Sequence, residues 1–292
     1  QEKFMKLSGL EPAYLKPENG FVHVGERCNL MGSIKFKKLI EDNKFDEALA
    51  ICRAQAMSCA DILDFNFDSD LIDGKTAMGK FLRLCVTEQR SGMFFIYLAL
   101  TYLLASTPFA LVLTTLQGGE QDVRTFGSGN IGATNVARLY GWGLALPVLL
   151  LDMFKGWLPV VVVGRLWPEM GLWATAMVAL VAFVGHCFPI YLEFRGGKGV
   201  ATGAGALLPI VPKTILAALA TWGFVLLVTG RSSVAALTAS LFAVGFTWWF
   251  RPDALGIVLL IVCGVVWTHL ANLRRMFRGE EKQVIRPVRF SG

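Results

Sequence analysis

The chain has 292 residues, with 28 Lys/Arg against 22 Asp/Glu, a net charge of +6 and 54% hydrophobic residues. A mean hydropathy of +0.52 excludes a disordered chain and an ordinary soluble domain. Six cysteines without CxxC spacing and three scattered histidines give neither a disulfide framework nor a metal centre.

The totals combine two unlike parts. Residues 1–90 carry 13 Lys/Arg and 14 Asp/Glu, whereas residues 91–292 carry 15 and 8. The basic excess therefore lies in the second part, together with most of the apolar residues, and that part reads as an integral membrane protein. No secretory signal is visible at the start, which is Gln1.

Residues 1–89 alternate strand and helix signals. Phe21–Gly25 has a buried-strand pattern, and Ser33 opens a helix with apolar positions from Phe36 to Ala54. Asp61–Phe67 reads as a second strand and Lys75–Val86 as a second helix. This β-α-β-α run is the unit of parallel α/β folds. Leu7–Pro12, Val24–Asn29 (VGERCN) and Asp61–Asp68 (DILDFNFD) resemble the start of the pterin-binding barrel of cobalamin-dependent methionine synthase. The resemblance implies a TIM-type barrel with Asn29, Asp64 and Asn66 at strand ends. Only about two of the eight units needed are present, so residues 1–89 are expected to be an incomplete α/β fragment without folate or cobalamin activity.

After Gly92 the composition switches. A spanning helix needs about 20 apolar residues, and candidate segments lie at 93–116, 143–164, 172–190, 200–211, 214–229, 234–250 and 254–271. An all-α domain of about seven transmembrane helices over residues 90–292 is the expected architecture. With seven segments, the loops at 117–142, 191–199 and 230–233 and the tail fall on one side. That side holds Arg124, Arg138, Arg195, Lys198, Arg231 and the basic tail, and the other only Arg165, Lys213 and Arg251. The positive-inside rule places the polar loops in the cytoplasm. The first helix would then start outside, and a cytosolic-type segment before it conflicts with that. Residues 1–89 are therefore read as an accidental or artificial joining.

Three polar clusters carry the chemistry. Phe126–Arg138 contains Gly127–Arg138 (GSGNIGATNVAR), where glycines admit backbone N–H groups to an anion and Ser128, Asn130, Thr134, Asn135 and Arg138 add donors. It matches GxGxxG formally, but a dinucleotide fold needs a preceding strand, and here membrane segments flank the loop. Arg195–Thr202 includes Gly196-Gly-Lys198-Gly199, which lacks the Walker A spacing but suits an anion cradle. His269 and Asn272, three apart at the end of the last helix, share one face. Asp152 and Lys155, also three apart but inside a span, are expected to form an internal ion pair positioning the first loop. His186 is expected to be structural or loop-ordering.

Gly127–Arg138, Gly185–Thr202 (GHCFPIYLEFRGGKGVAT) and His269–Arg275 (HLANLRR) together resemble the acyl-phosphate-dependent glycerol-3-phosphate acyltransferases of bacterial membranes. Ser106–Pro108 and Leu151–Gly156 fit as well, and the resemblance covers residues 93–286. It implies transfer of an acyl group from acyl phosphate to the sn-1 hydroxyl of glycerol 3-phosphate, the first step of phospholipid synthesis. It further implies a multi-pass protein of the bacterial inner membrane, without cofactor or metal and without nucleic acid as a partner. Membrane lipid and the soluble enzyme that makes acyl phosphate are the partners expected. Ser128, Lys198, His269 and Asn272 would be catalytic. Ser128, Gly129, Asn130, Thr134, Asn135, Arg138, Lys198 and Ser233 would hold phosphate, with Ser232 an open alternative to Ser233.

An acyl phosphate has a good leaving group and needs no covalent nucleophile. Consistently, the chain has neither a GxSxG elbow nor an HxxxxD motif, so thioester donors are disfavoured. A transporter for phosphate esters is the second reading. It would call for inverted repeats with broken helices in both halves, and no partner for the short pair 200–211 and 214–229 is visible in the first half.

Overall fold

The computed structural model describes residues 5–7, 13–15, 22–58 and 60–285. Phe21, Cys59 and the tail residues Arg286 and Arg289 lie outside the described residues. Two compact units are present, Gln1–Phe95 and Ile96–Gly292.

In the first unit, β1 (Met5–Leu7) pairs antiparallel with β2 (Ala13–Leu15), and β3 (Val24–Asn29) pairs parallel with β4 (Ile62–Asn66). Between β3 and β4 lie two helices rather than the single one expected. Ser33 caps α1 (Ile34–Glu41), its hydroxyl accepting from the Phe36 N–H at 3.3 Å. The chain then turns at Asn43, whose φ is +60°, and enters α2 (Phe45–Met57). The first long strand begins at Val24, later than the pattern from Phe21 suggested, and Val24 is exposed. Phe36, Phe67 and Phe81 stack edge to face in the small core. Asn29 and Asp64 meet at the ends of the parallel strands, where the Asn29 amide donates to the carboxylate at 3.2 Å.

α3 spans Gly74–Ser106. Pro108 cannot continue it, since proline lacks an N–H and restricts the residue before it. The chain resumes as α4 (Phe109–Leu116), and the apolar pair Gly92–Ser106 and Phe109–Leu116 is bent by 46°. The short α5 (Ala133–Tyr140) precedes α6 (Trp142–Leu166), α7 (Gly171–Cys187), α8 (Val200–Leu207), α9 (Pro212–Thr229), α10 (Ser232–Phe250), α11 (Leu255–Thr268) and α12 (Leu270–Phe277).

Among the described residues, four helices are long and apolar enough to cross a membrane, or six when each bent pair counts as one span. The second bent pair, Pro252–Thr268 with Leu270–Phe277, breaks by 56° at His269. α8, expected as a span of its own, has eight residues and is about 12 Å long, well under the roughly 30 Å of a bilayer core. The molecule is thus a mostly helical, multi-pass membrane protein.

α6 and α8 are held in backbone contact. A Cβ on Gly156 would lie 2.2 Å from the Thr202 carbonyl oxygen, and one on Gly205 would lie 2.0 Å from that of Met153. Glycine at both positions lets the two helices touch, which sets α8 against the middle of α6. Trp173 on α7 and Trp248, Trp249 and Phe250 at the end of α10 are exposed. They suit the aromatic belt found where helices meet headgroups.

Candidate active site

The first loop is shaped by its own amide. Asn135, 1% exposed, accepts from the Ser128 N–H at 3.1 Å through Oδ1, and its Nδ2 donates to the carbonyls of Val123 and Phe126 at 2.8 and 2.9 Å. Gly127 has φ +62°, and a Cβ there would lie 2.5 Å from Asn135 Oδ1, so only glycine fits against this staple. Asn135 therefore has no N–H group left for a phosphate, and the Gly129 N–H goes to the Phe126 carbonyl at 2.9 Å. Both residues shape the loop instead of holding an anion, against the reading from composition. Arg124 is likewise engaged, paired with Asp122 at 2.7 Å.

The second loop folds back on the end of α7. The Gly196 and Gly197 N–H groups donate to the carbonyls of Cys187 and His186, both at 3.1 Å. Thr268, on the last turn of α11, donates to the Lys198 carbonyl at 3.0 Å. The ordering role expected of His186 is present in its main chain. Asp152 and Lys155 form the expected buried ion pair at 2.8 Å, and the contacts beyond the pair run to other elements than the first loop. Lys155 donates to the Thr107 carbonyl at the α3–α4 break, at 2.8 Å, and Asp152 lies 3.6 Å from His186 Nδ1 behind the second loop.

The third cluster is centred on the break between α11 and α12. His269, 2% exposed, bonds the Val265 carbonyl through Nδ1 at 2.8 Å. A carbonyl only accepts, so Nδ1 carries the proton and Nε2 of the neutral ring is an acceptor. Asn272 Nδ2 donates to Glu281 Oε1 at 2.7 Å, and Oδ1 of the same residue is buried without a protein partner.

Glu281 is the residue that composition did not reveal. The tail read as a run of basic anchors, yet this carboxylate is 8% exposed. It accepts from the Ser233 hydroxyl at 2.7 Å, from Asn272 and from Arg275 Nε at 2.9 Å. Burial pushes its pKa up, but the bonds from Ser233, Asn272 and Arg275 outweigh that and hold it below the usual carboxylate range. The tail backbone is tied as well. Arg231 Nε donates to the Glu281 carbonyl at 3.1 Å, the Arg138 guanidinium to that of Lys282 at 3.3 Å, and the Val284 N–H to that of Gly230 at 2.7 Å. The Glu-Glu pair at 280–281 inside a basic tail was the signal available in the sequence.

These parts border a cavity of about 210 Å³. Every residue expected at the site lines it except Gly129. Both serines of the 232–233 pair are there as well. Ser233 faces Glu281, while the Ser232 hydroxyl lies 3.1 Å from that of Thr134 and joins α10 to the first loop. Arg138 and Lys198 are the cations of its polar end, and Arg138 Nε is a buried donor without a protein partner. Burial lowers the Arg138 pKa, with Glu281 opposing. Burial also lowers Lys198 to about 8; Glu281 pulls it up, while Arg275 and Arg138 push it down. Below the polar end the cavity continues as an apolar arm between α6, α8, α9, α10 and α11.

A family model described as glycerol-3-phosphate acyltransferase matches residues 95–279. The chain belongs to the glycerol-3-phosphate acyltransferase family. It is 46% identical over 184 residues to the glycerol-3-phosphate acyltransferase of Erythrobacter litoralis, covering 63% of this chain and 91% of the relative. It is 44% identical over 183 residues to that of Azotobacter vinelandii, covering 63% and 95%. The fold matches the crystal structure of PlsY (YgiH), an integral membrane glycerol 3-phosphate acyltransferase, in its glycerol 3-phosphate form. The TM-score is 0.61 at 30% identity, covering 65% of this chain and 95% of that one. The lysophosphatidic acid form of the same enzyme matches with a TM-score of 0.60. The acyltransferase therefore occupies the second unit, and with that identity the transporter reading falls away.

Proposed function

We propose that the site transfers a fatty acyl group from acyl phosphate to the sn-1 hydroxyl of glycerol 3-phosphate, releasing lysophosphatidic acid and inorganic phosphate. The observation that carries this reading is one cavity with a cationic polar end and an apolar arm. Two phosphorylated substrates need two anion contacts, and Arg138 and Lys198 supply them, helped by Ser128, Asn130, Thr134 and the N–H groups at the start of α5. The acyl tail fits the arm.

His269 Nε2 and Asn272 Oδ1 are acceptors suited to holding the glycerol hydroxyl. The hydroxyl oxygen attacks the acyl carbonyl carbon, the bond from that carbon to the phosphate oxygen breaks, and the hydroxyl proton leaves with the phosphate. Rate enhancement comes from proximity and from cations facing the charge on the departing phosphate. No serine–histidine pair is needed for a mixed anhydride, and Ser233 donates to a carboxylate while His269 bonds a carbonyl.

The polar loops and tail that meet at the cavity are also the basic ones, which favours a site on the cytoplasmic face of the bacterial inner membrane. Seven crossings fit this sidedness, with the whole stretch 200–211, helical only in α8, as the short fourth one. The chain reaches Ile210 soon after α8, and there the Ile210 carbonyl accepts from Arg251 at the far end of α10. A soluble acyl-phosphate-forming enzyme would supply the donor. Residues 1–89, with their parallel pair β3–β4, are taken as the barrel fragment that their motifs resemble, without a part in the reaction.

Purified protein assayed with acyl phosphate, acyl-CoA and acyl-carrier-protein donors tests the reading. Phosphate release with the first donor alone is expected. Lys198→Ala and His269→Ala are each expected to lose at least about a hundredfold in rate while still inserting into membranes. Near-normal turnover in either variant rejects the assignment of that residue.

A further inference from the structure

The apolar arm has a definite depth. Ten residues separate Ser233 from Ala243 on α10, and eight separate Ile261 on α11 from His269 at its C-terminal end. At about 1.5 Å per residue, these two helical walls end roughly 12–15 Å below the polar end. The floor lies just beyond. One turn past Ala243, Thr247 is fully buried, bonds the Ala243 carbonyl at 2.7 Å, and lies 3.3 Å from the Thr214 hydroxyl, itself 1% exposed. Ile215, next to Thr214, lines the same deep end from α9. A hydroxyl pair cross-linking α9 and α10 inside an apolar bundle resists opening, because parting the helices would leave one polar group unpaired.

The α10 wall above that floor is made of small side chains, Ala236, Ala239, Ser240 and Ala243. Their size leaves the space of the arm, and a larger side chain at any one of them would end it at that level.

We infer that this arm is a ruler for the donor, with Ala243 and Ile215 at its floor setting the longest acyl chain that is turned over efficiently. A tail that reaches the floor aligns its carbonyl at the polar end. A longer tail must either displace packed helices or hold its carbonyl out of register, which lowers kcat/KM. This rests on the acyl-phosphate reading above.

The test is kcat/KM for a graded series of saturated acyl phosphates, measured on full-length protein and on Ala239→Phe, Ala243→Phe and Ile215→Ala. The ratio of short-chain to long-chain kcat/KM is expected to rise at least tenfold in Ala243→Phe. In Ala239→Phe the cutoff should fall at shorter chains still, since that position is about one turn nearer the reacting end. Ile215→Ala should shift the profile toward longer chains. An unchanged ratio in the active phenylalanine variants overturns the proposal, and would mean the tail runs sideways past Leu219, which lines the arm and is 37% exposed. If both phenylalanine variants are inactive with every donor, Ile215→Ala decides, and no shift toward longer chains overturns it. The unmodified protein is the control for the chemistry. No phosphate release with any chain length sinks the acyl-phosphate reading, whereas a flat response of the variants beside an active parent sinks only the ruler.

Discussion

The first loop, 126–138, and the tail, 279–285, border the same cavity, but they are held in opposite ways. The loop is fixed from within. Its staple Asn135 bonds groups seven to twelve residues away, and the positive φ of Gly127 makes room for that side chain. The tail has little structure of its own and is fixed by distant partners. Glu281 takes its bonds from α10 and α12, and Arg138, Arg231 and Gly230 bind its backbone. A self-held loop can deliver donors to a substrate in advance. The tail instead joins Ser233, Asn272 and Arg275 through one carboxylate, so a single change there loosens three site elements together.

Of the tail and the loop, the tail carries the larger expected effect, and it follows from that concentration. Glu281→Ala removes the acceptor of three donors, each bond to a charged group being worth about 1.5–3 kcal/mol, though not additively. A fall in kcat/KM of about a hundredfold is expected, roughly 3 kcal/mol, with Ser233 and Asn272 free to take other rotamers. A loss below about threefold would mean that the tail merely covers the site. Asn135→Ala breaks the loop from within and is expected to cost about tenfold. The lost bonds are to neutral groups at about 1 kcal/mol each, and the loop keeps its ends in the 3-10 turn Val123–Thr125 and in α5. If Asn135→Ala is the more damaging of the two, the contrast between a self-held loop and a partner-held tail is wrong.

The same contrast governs what could be read in the sequence. The loop was legible as a polar cluster because its residues are contiguous, and the cavity does gather Ser128, Thr134, Arg138, Lys198, His269 and Asn272. The division of labour inside it was not legible, since composition cannot tell an amide that faces a ligand from one that bonds three main-chain groups, as Asn135 does. Glu281 was hidden because its partners are 6 to 48 residues away, and a pair of acids in a basic tail looks like a solvated one. Among the helices, apolar length identified the long spans. It overstated α8, whose eight residues are followed by turns before Pro212, because hydropathy does not register where helical hydrogen bonding stops. Likewise the single helix read after Ser33 is broken at Asn43, which a polar Asp-Asn-Lys stretch permits.

The smallest effect tests whether the tail also tunes the charge of the site. Burial brings the Lys198 pKa down from its ordinary value to about 8, so the ammonium is lost as pH rises through that range. If transfer needs the charged form, kcat/KM should be level below pH 8 and fall about tenfold per unit well above it. The carboxylate of Glu281 opposes this lowering by favouring the ammonium, while Arg275 and Arg138 add to it. Glu281→Gln keeps a hydrogen-bond acceptor in place but removes the negative charge. The alkaline limb of the profile should then move to lower pH, with the level part of the curve reduced far less than in Glu281→Ala. A limb that stays at the same pH in Glu281→Gln would separate the two roles and leave the tail with its bonding function alone. A limb that moves to higher pH would mean that the titrating group is something other than Lys198.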